Sequence, residues 1–381
     1  MKQRILKIGC LLLFFLLILS GTVVMAAEDS SVEHMLNEQY QASGADELPD
    51  ELPDEVGDAL SAGGVDSPSP EQMDSFDMGG FLQGLFESIV DAIKSPLTLL
   101  SGCFAIVLIC ALFEAFGNVQ DSSLSGVLGT VSSLAICGVM LSPVISCVSL
   151  VSGVIRAMGD FMLCFIPVYT AVVAASGCPT AAIGYNTALF ALAELISSVT
   201  ADLLLPFVGA FLALSIAGSV GGQFQVASLT TTVKKTVVFT LTLLVTIFVG
   251  LFTMQNMVAV SADTLSIKTA KFLSGSFVPV VGGALGDALS SVLGCLGVIK
   301  ASVGGYGVLV CFAMFLPPII TVLFFMLALK LAGAAAEFLG VSTIPGLMTA
   351  AYDALSVLLA FLICYGVLII VTTTVMLSMG G

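Results

Sequence analysis

Side-chain catalysis needs a nucleophile and a base, or a set of metal ligands, at workable spacing, and this sequence offers few such groups. The single histidine, His34, stands in an acidic stretch near the N-terminus. Histidine-based proton transfer, a histidine metal site and a Ser-His-Asp triad are therefore excluded from the apolar body of the chain. No Gly-x-x-x-x-Gly-Lys-Ser/Thr loop occurs, so no Walker turn can cradle a nucleotide. Most of the ten cysteines, Cys103, Cys110, Cys137, Cys147, Cys164, Cys295, Cys311 and Cys364 among them, lie in apolar runs without metal-ligand spacing and read as small buried hydrophobes. The sequence thus predicts no enzyme, no metal and no cofactor. What remains is a set of carboxylates inside apolar segments: Glu194, Asp287, Glu337 and Asp353. Each costs roughly 2.5–3.5 kcal/mol at mid-bilayer unless paired or hydrated, which makes them candidates for pore lining or partner contact. Glu194 follows Tyr185 and Asn186 in one run, and lining and burial in a polar helix interface both remain open for it. Arg156 and Asp160, spaced i, i+4, can pair on one helical turn for about 0.3–0.5 kcal/mol.

The elements that must carry these groups follow from composition. The chain is 58% hydrophobic and 10% charged, with a mean hydropathy of +1.12, against about 25% charged in soluble domains. That composition predicts an all-α polytopic membrane protein, a bundle of about seven to nine membrane helices with room for re-entrant or broken ones. Its 11 basic residues are scattered, which excludes a nucleic-acid surface. Residues 1–26 show a basic start, an apolar run from Ile8 to Leu19 and small residues ending at Ala26, the order of a cleavable signal peptide, with an uncleaved anchor as the competing reading. Residues 27–76 are acidic. Of the 26 acidic residues 17 lie between Glu28 and Asp91, where no Lys or Arg occurs. Like-charge repulsion and the Pro-containing spacers predict a mostly extended, exported segment there. Residues 77–95 place Phe81, Leu82, Leu85, Phe86, Ile89, Val90 and Ile93 on one stripe, an amphipathic interfacial helix.

Residues 96–381 form the polytopic part, with expected spans at Leu97–Gly117, Val127–Val148, Phe161–Ser176, Ala181–Thr200, Leu203–Gly221, Thr236–Val258, Phe277–Ile299, Val303–Leu329 and Tyr352–Leu377. Phe161–Ser176 is short and is followed by Gly177-Cys178-Pro179, which suggests a hairpin with the next segment. Positive-inside bias puts Lys234-Lys235 in the cytoplasm when the acidic segment is outside. Phe165-Ile166-Pro167-Val168 echoes Phe277-Val278-Pro279-Val280, and Phe211–Gly218 echoes Met326–Gly333. Those offsets suggest repeats over 161–260 and 272–377, the mark of inverted-repeat membrane folds, against chance similarity between apolar helices. Gly282, Gly286, Ser290 and Gly294 recur every fourth residue, a smooth stripe that another helix can approach closely.

The run Thr269 to Gly282, containing Lys271, Phe272, Gly275, Phe277, Pro279 and Gly282, is followed by Asp287 and by Val303-Gly304-Gly305-Tyr306-Gly307, read as a Gly-rich turn. This block resembles the signature of the stage III sporulation protein AE family, and the layout of the whole chain is similar to that family's. The resemblance implies a multi-pass protein of the mother-cell membrane facing the forespore, its acidic N-terminal segment extracytoplasmic. It further implies partnership with other stage III sporulation A-operon proteins, an ATPase and ring-forming subunits among them, and indirectly with the forespore stage II protein Q. The implied function is that of a non-catalytic subunit of the mother-cell-to-forespore channel, or feeding tube, required for endospore formation. An autonomous secondary transporter or permease with an inverted-repeat fold is the alternative, in which Glu194 and Asp287 would stand near a midplane site.

Overall fold

A computed structural model describes residues 30–117, 122–199, 209, 226–277, 282–341 and 344–378. Their order is α1 (Ser30–Ala42), a 3-10 turn (Ala45–Glu51), α2 (Asp54–Ala62), α3 (Pro70–Asp74), α4 (Met78–Gly117), α5 (Ser122–Ala175), α6 (Pro179–Val199), α7 (Val226–Phe277), α8 (Gly282–Phe338) and α9 (Ile344–Ser378). No strand occurs among the described residues. This is an all-α fold, and five of its helices are long and apolar enough to cross a membrane by length and composition. They overlap α4, α5, α7, α8 and α9. The signal segment with Ala26, the expected span Leu203–Gly221 apart from Gly209, and Pro279 lie outside the described residues.

Among the described residues several expected spans are joined, because expected breaks are absent. Val127–Val148 and Phe161–Ser176 belong to one helix, α5, which passes straight through Arg156 and Asp160. The Gly304-Gly305-Tyr306-Gly307 run is likewise a turn of α8 rather than a loop, which fuses two more expected spans. Glycine costs about 1 kcal/mol in a helix interior, but here close packing requires it. A Cβ on Gly307 would collide with the Phe165 ring, and one on Gly304 would stand 2.7 Å from the Tyr169 hydroxyl. At 1.5 Å per residue α5, α7 and α8 are each about 80 Å long, well beyond the roughly 30 Å of a hydrocarbon core.

Two helix ends share one chemistry. After α5, Cys178 N donates to Val173 O at 3.2 Å and Gly177 takes φ +95. After α8, Val341 N donates to Ala336 O at 3.0 Å and Gly340 takes φ +81. Both are left-handed glycine caps that satisfy the last carbonyls and reverse the chain, since only glycine enters that region without a steric penalty. The hairpin expected around Gly177 therefore forms. Tyr169 and Tyr185, eight residues either side of it, meet with ring centroids 5.3 Å apart.

Ring and glycine contacts set the register of the bundle. α8 runs antiparallel to α5, with Gly307 on Phe165, and antiparallel to α9, where Phe315 and Tyr365 pack edge to face at 5.5 Å. α4 lies against α5 at Gly102 and Val139 and runs alongside α8, Phe81 meeting Phe312 at 6.3 Å. The core is centred on α8 and α9 and is almost wholly aliphatic and aromatic.

The acidic N-terminal stretch is not an extended tether. It folds into α1, the 3-10 turn, α2 and α3, and buries Tyr40, Ala45, Leu48, Val56, Leu60 and Val65 while its carboxylates stay at the surface. These apolar residues, spaced among the charges, supply enough burial to order a segment that net charge alone would expand. Asp77 then caps α4, its carboxylate accepting from Gly79 N and Gly80 N at 2.9 and 3.0 Å. The expected interfacial stripe splits in two. Phe81, Leu85 and Ile89 are buried, whereas Leu82, Phe86 and Val90 face outward, and the helix continues through Pro96 without a separate entry.

The helix pattern does not repeat at the offset read from the sequence. An offset of 112 would pair the turn at 177–179 with 289–291, where α8 is unbroken. The stretches 211–218 and 278–280, which carry part of the echo, lie outside the described residues.

Candidate functional site: two charged clusters on one helix seam

α7 touches the rest of the bundle along one stripe, Phe248, Phe252, Asn256, Asp263 and Ile267, spaced by about one or two turns. Polar groups hold it at both ends. At the first end Lys234 Nζ donates to Asp353 Oδ1 at 2.6 Å. The lysine side chain is 19% exposed and the carboxylate residue 6%. The ring of Tyr352 lies beneath two ammonium groups, Lys234 at 4.7 Å and Lys330 at 5.3 Å. α7, α8 and α9 thus converge on one carboxylate and one aromatic face. Isolating either charge of the pair in so dry a place would cost several kcal/mol, and the aromatic face adds about 0.5–1 kcal/mol at the exposed Lys330.

At the other end Asp263 does what the start of α6 cannot do for itself. Pro179 opens that helix and has no N–H, while Cys178 is a poor capping residue. The next two amides, Thr180 N and Ala181 N, donate to Asp263 Oδ1 and Oδ2 at 3.1 and 3.0 Å, across more than 80 residues of sequence. A carboxylate at a helix N-terminus also meets the positive end of the helix dipole. Asp263 is 2% exposed and Lys300 on α8 is 4% exposed; the Cys178 thiol lies within the fields of both. Along α8, Lys300 and Lys330 are separated by about 45 Å at 1.5 Å per residue, and Lys234 and Asp263 stand a similar distance apart on α7.

Between the clusters the seam is aromatic and partly polar. Tyr185 and Thr373 share a hydroxyl hydrogen bond of 3.2 Å, and Tyr185 also packs on Phe252 at 6.4 Å. α6 and α7 also approach at Gly184, where an added Cβ would lie 3.3 Å from Gln255 Nε2. Asn256, 1% exposed, leaves both its amide nitrogen and its oxygen without a partner, and the hydroxyl of Tyr169 is also unpartnered. Unsatisfied buried polar groups cost about 1–3 kcal/mol each, so this seam is less stable than the apolar core beside it.

Of the four carboxylates singled out by sequence, Asp353 enters a cluster. Glu194 on α6 and Glu337 at the end of α8 are exposed, so neither is a buried interface group. Asp287 falls in the first turns of α8, with its side chain outside the described residues. The signature residues gather where α7 ends and α8 begins: Lys271, Gly275 and Phe277 in the last turns of α7, Phe272 there too and 71% exposed, and Gly282 at the first position of α8. The Gly282, Gly286, Ser290, Gly294 stripe is helical, and an added Cβ at Gly294 meets nothing within 4 Å; the surroundings of Gly282 and Gly286 lie outside the described residues. Further along α8, Gly304 and Gly307 make close approaches.

Sequence reasoning misses Asp263 and Lys300 because both lie beyond the expected ends of their spans, at Val258 and Ile299. The signal for Asp263 was its place on the Phe252, Asn256 stripe, opposite a helix that opens with proline.

Comparison with known proteins bears on identity. A 26% identical relative, stage III sporulation protein AE of Bacillus subtilis (strain 168), aligns over 269 residues, 70% of this chain and 67% of that protein. No solved structure matches the chain. The family model described as stage III sporulation protein AE matches residues 67–380, from just before α3 to the end of α9. With that match spanning well over half its length, the chain belongs to the stage III sporulation protein AE family.

Proposed function

We propose that the protein is a non-catalytic, multi-pass membrane subunit of the channel complex that joins mother cell and forespore during endospore formation. The observation that carries this reading is the family match over residues 67–380, which covers every long helix of the bundle. The architecture suits the role. A tightly packed α8–α9 hairpin forms a fixed post; α7 is pinned to α9 by an ion pair at one end and to the start of α6 by a helix cap at the other. Two charge-based pins on an otherwise apolar helix form the kind of two-position element that a partner could shift. On this reading the protein is exported by an N-terminal signal and sits in the mother-cell membrane, with its acidic domain outside the cytoplasm. Its energy comes from partners, namely the operon's ATPase and ring-forming proteins and, through them, the forespore stage II protein Q. Membrane lipid is its other neighbour, and no cofactor is needed.

Affinity isolation of the tagged full-length chain from sporulating cells in mild detergent tests this. Co-purification of the operon's ATPase and ring proteins is expected. Isolation of the chain alone, under conditions that preserve other membrane complexes, would overturn it. One observation favours a secondary transporter as the second reading: the unpartnered buried amide of Asn256 beside the Tyr185–Thr373 pair. Solute flux into liposomes holding only this chain would establish that alternative.

A further inference from the structure

We infer that copies of this chain associate head to tail, the outward face of α7 on one copy packing against the α4 and N-terminal face of the next. The argument rests on height. Met73, just before α4, reaches Gly305, and Phe81 meets Phe312, so the folded acidic domain lies beside residues 305–312 of α8. On the other side of α8, Phe252 of α7 meets Tyr185, Tyr185 meets Tyr169, and Tyr169 abuts Gly304. The middle of α7 therefore stands level with the acidic domain. That domain carries surface carboxylates such as Asp54, Glu55 and Asp58 and must stand in water, since each would cost roughly 2.5–3.5 kcal/mol in hydrocarbon.

At the same height α7 exposes Leu251, Met254, Met257 and Val258, each at least 60% open. Only 6% of its apolar window is buried. The stripe from Phe239 to Phe272 is about 50 Å long at 1.5 Å per residue, so even a strongly tilted bilayer of about 30 Å leaves part of it uncovered. Lipid cannot cover this patch without drawing the acidic domain into hydrocarbon. An apolar face left in water marks a protein contact.

The surface that fits it lies on the same molecule. The outward face of α7 presents Lys235 and Lys268, both exposed, while its one carboxylate, Asp263, is buried; residues 28–91 by contrast hold 17 acidic residues and no Lys or Arg. The acidic face also presents its own outward stripe, Leu82, Phe86 and Val90. α4 and α7 each pack on α8 from different sides, so one copy's basic apolar face and its neighbour's acidic apolar face can meet repeatedly. Such heterologous contacts build rings or filaments rather than two-fold dimers.

The test uses full-length chain in membranes, in cells that make two differently tagged copies and no other sporulation protein. A photoreactive phenylalanine analogue replaces Leu243, and separately Ile247, both outward on α7. Lys234 and Lys330 share the ring of Tyr352, so these positions stand close in height to Phe86. The expected result is an adduct of two chains bearing both tags, its cross-link mapped to α4 between Met78 and Lys94. A cross-link from α7 to α7, an adduct with a different protein, or no protein adduct from either position would overturn the proposal. The readout needs no operon partner, so failure here leaves the channel-subunit reading standing, and failure of that reading leaves this contact intact.

Discussion

α7 and α8 have nearly the same length and both are strongly apolar, yet 61% of the apolar window of α8 is buried in the bundle and only 6% of that of α7. Hydrophobicity does not separate the two. Small residues do. α8 brings Gly304 and Gly307 against the aromatic rings of α5, and Gly366 of α9 lies against Phe315, so backbones approach closely over long stretches. α7 presents Leu, Met and Phe outward and keeps its contacts to a narrow stripe secured by charges. In an apolar environment van der Waals fit, rather than apolarity, selects which helices join. The lesson is that α8 is core by shape, whereas α7 is attached by a few polar pins.

The strongest way to break the contrast is to spoil the shape of α8. Gly307→Leu drives a branched side chain into the Phe165 ring. Overpacking costs typically about 1–3 kcal/mol and more where backbones are close, so the expected outcome is about 3 kcal/mol or more and loss of a monodisperse peak in detergent gel filtration. Pinning is tested next. Lys234→Met leaves Asp353 buried without its ammonium partner and should cost about 3 kcal/mol, read as a lowered melting temperature of the purified protein. The double variant Lys234→Met with Asp353→Leu should recover most of that loss; if it melts as low as the single variant, the pair acts through more than its charge.

A smaller effect is expected from Asp263→Asn, which keeps one acceptor but removes the charge and one of two matched oxygens. It should cost about 2 kcal/mol and speed amide exchange at Thr180 and Ala181, with no change at the start of α9. Smallest is Asn256→Leu. Removing an amide with two unmade hydrogen bonds should raise stability by about 1 kcal/mol. If spore yield falls while stability rises, the polar seam serves function at a cost to the fold. Unchanged yield would reduce Asn256 to a structural residue.

Much of the fold was legible from periodicity and composition. Apolar runs located the long helices, and Gly177-Cys178-Pro179 announced a reversal because glycine can adopt the left-handed cap and proline can open the next helix. Helix ends were less legible. The interval 149–160 fell between expected spans and the 304–307 glycines read as a turn, yet helices continue through both, since the exposed Arg156 and Asp160 are tolerated on a helix surface and glycine is retained where a ring packs on it. The acidic segment misled for a different reason. Its net charge argued for expansion, but Tyr40, Leu48, Val56 and Leu60 share a buried face that only a folded arrangement reveals. Of the candidate site, Asp353 was visible as a carboxylate in an apolar run. Its partner Lys234 lies 119 residues away, a pairing that no local pattern encodes.

What the sequence determined by itself is the solvent and the element type. A chain this apolar must satisfy its backbone within helices, because hydrocarbon offers no hydrogen bonds. Its lack of histidine within the apolar body and of a phosphate loop limits the chemistry it can do alone. Tertiary structure decided which apolar surfaces meet and which are left outward, since that depends on the register at which glycines face rings. It also decided which charges find one another across the bundle, since Asp263 meets the start of α6 only after α5, α6 and α7 have aligned.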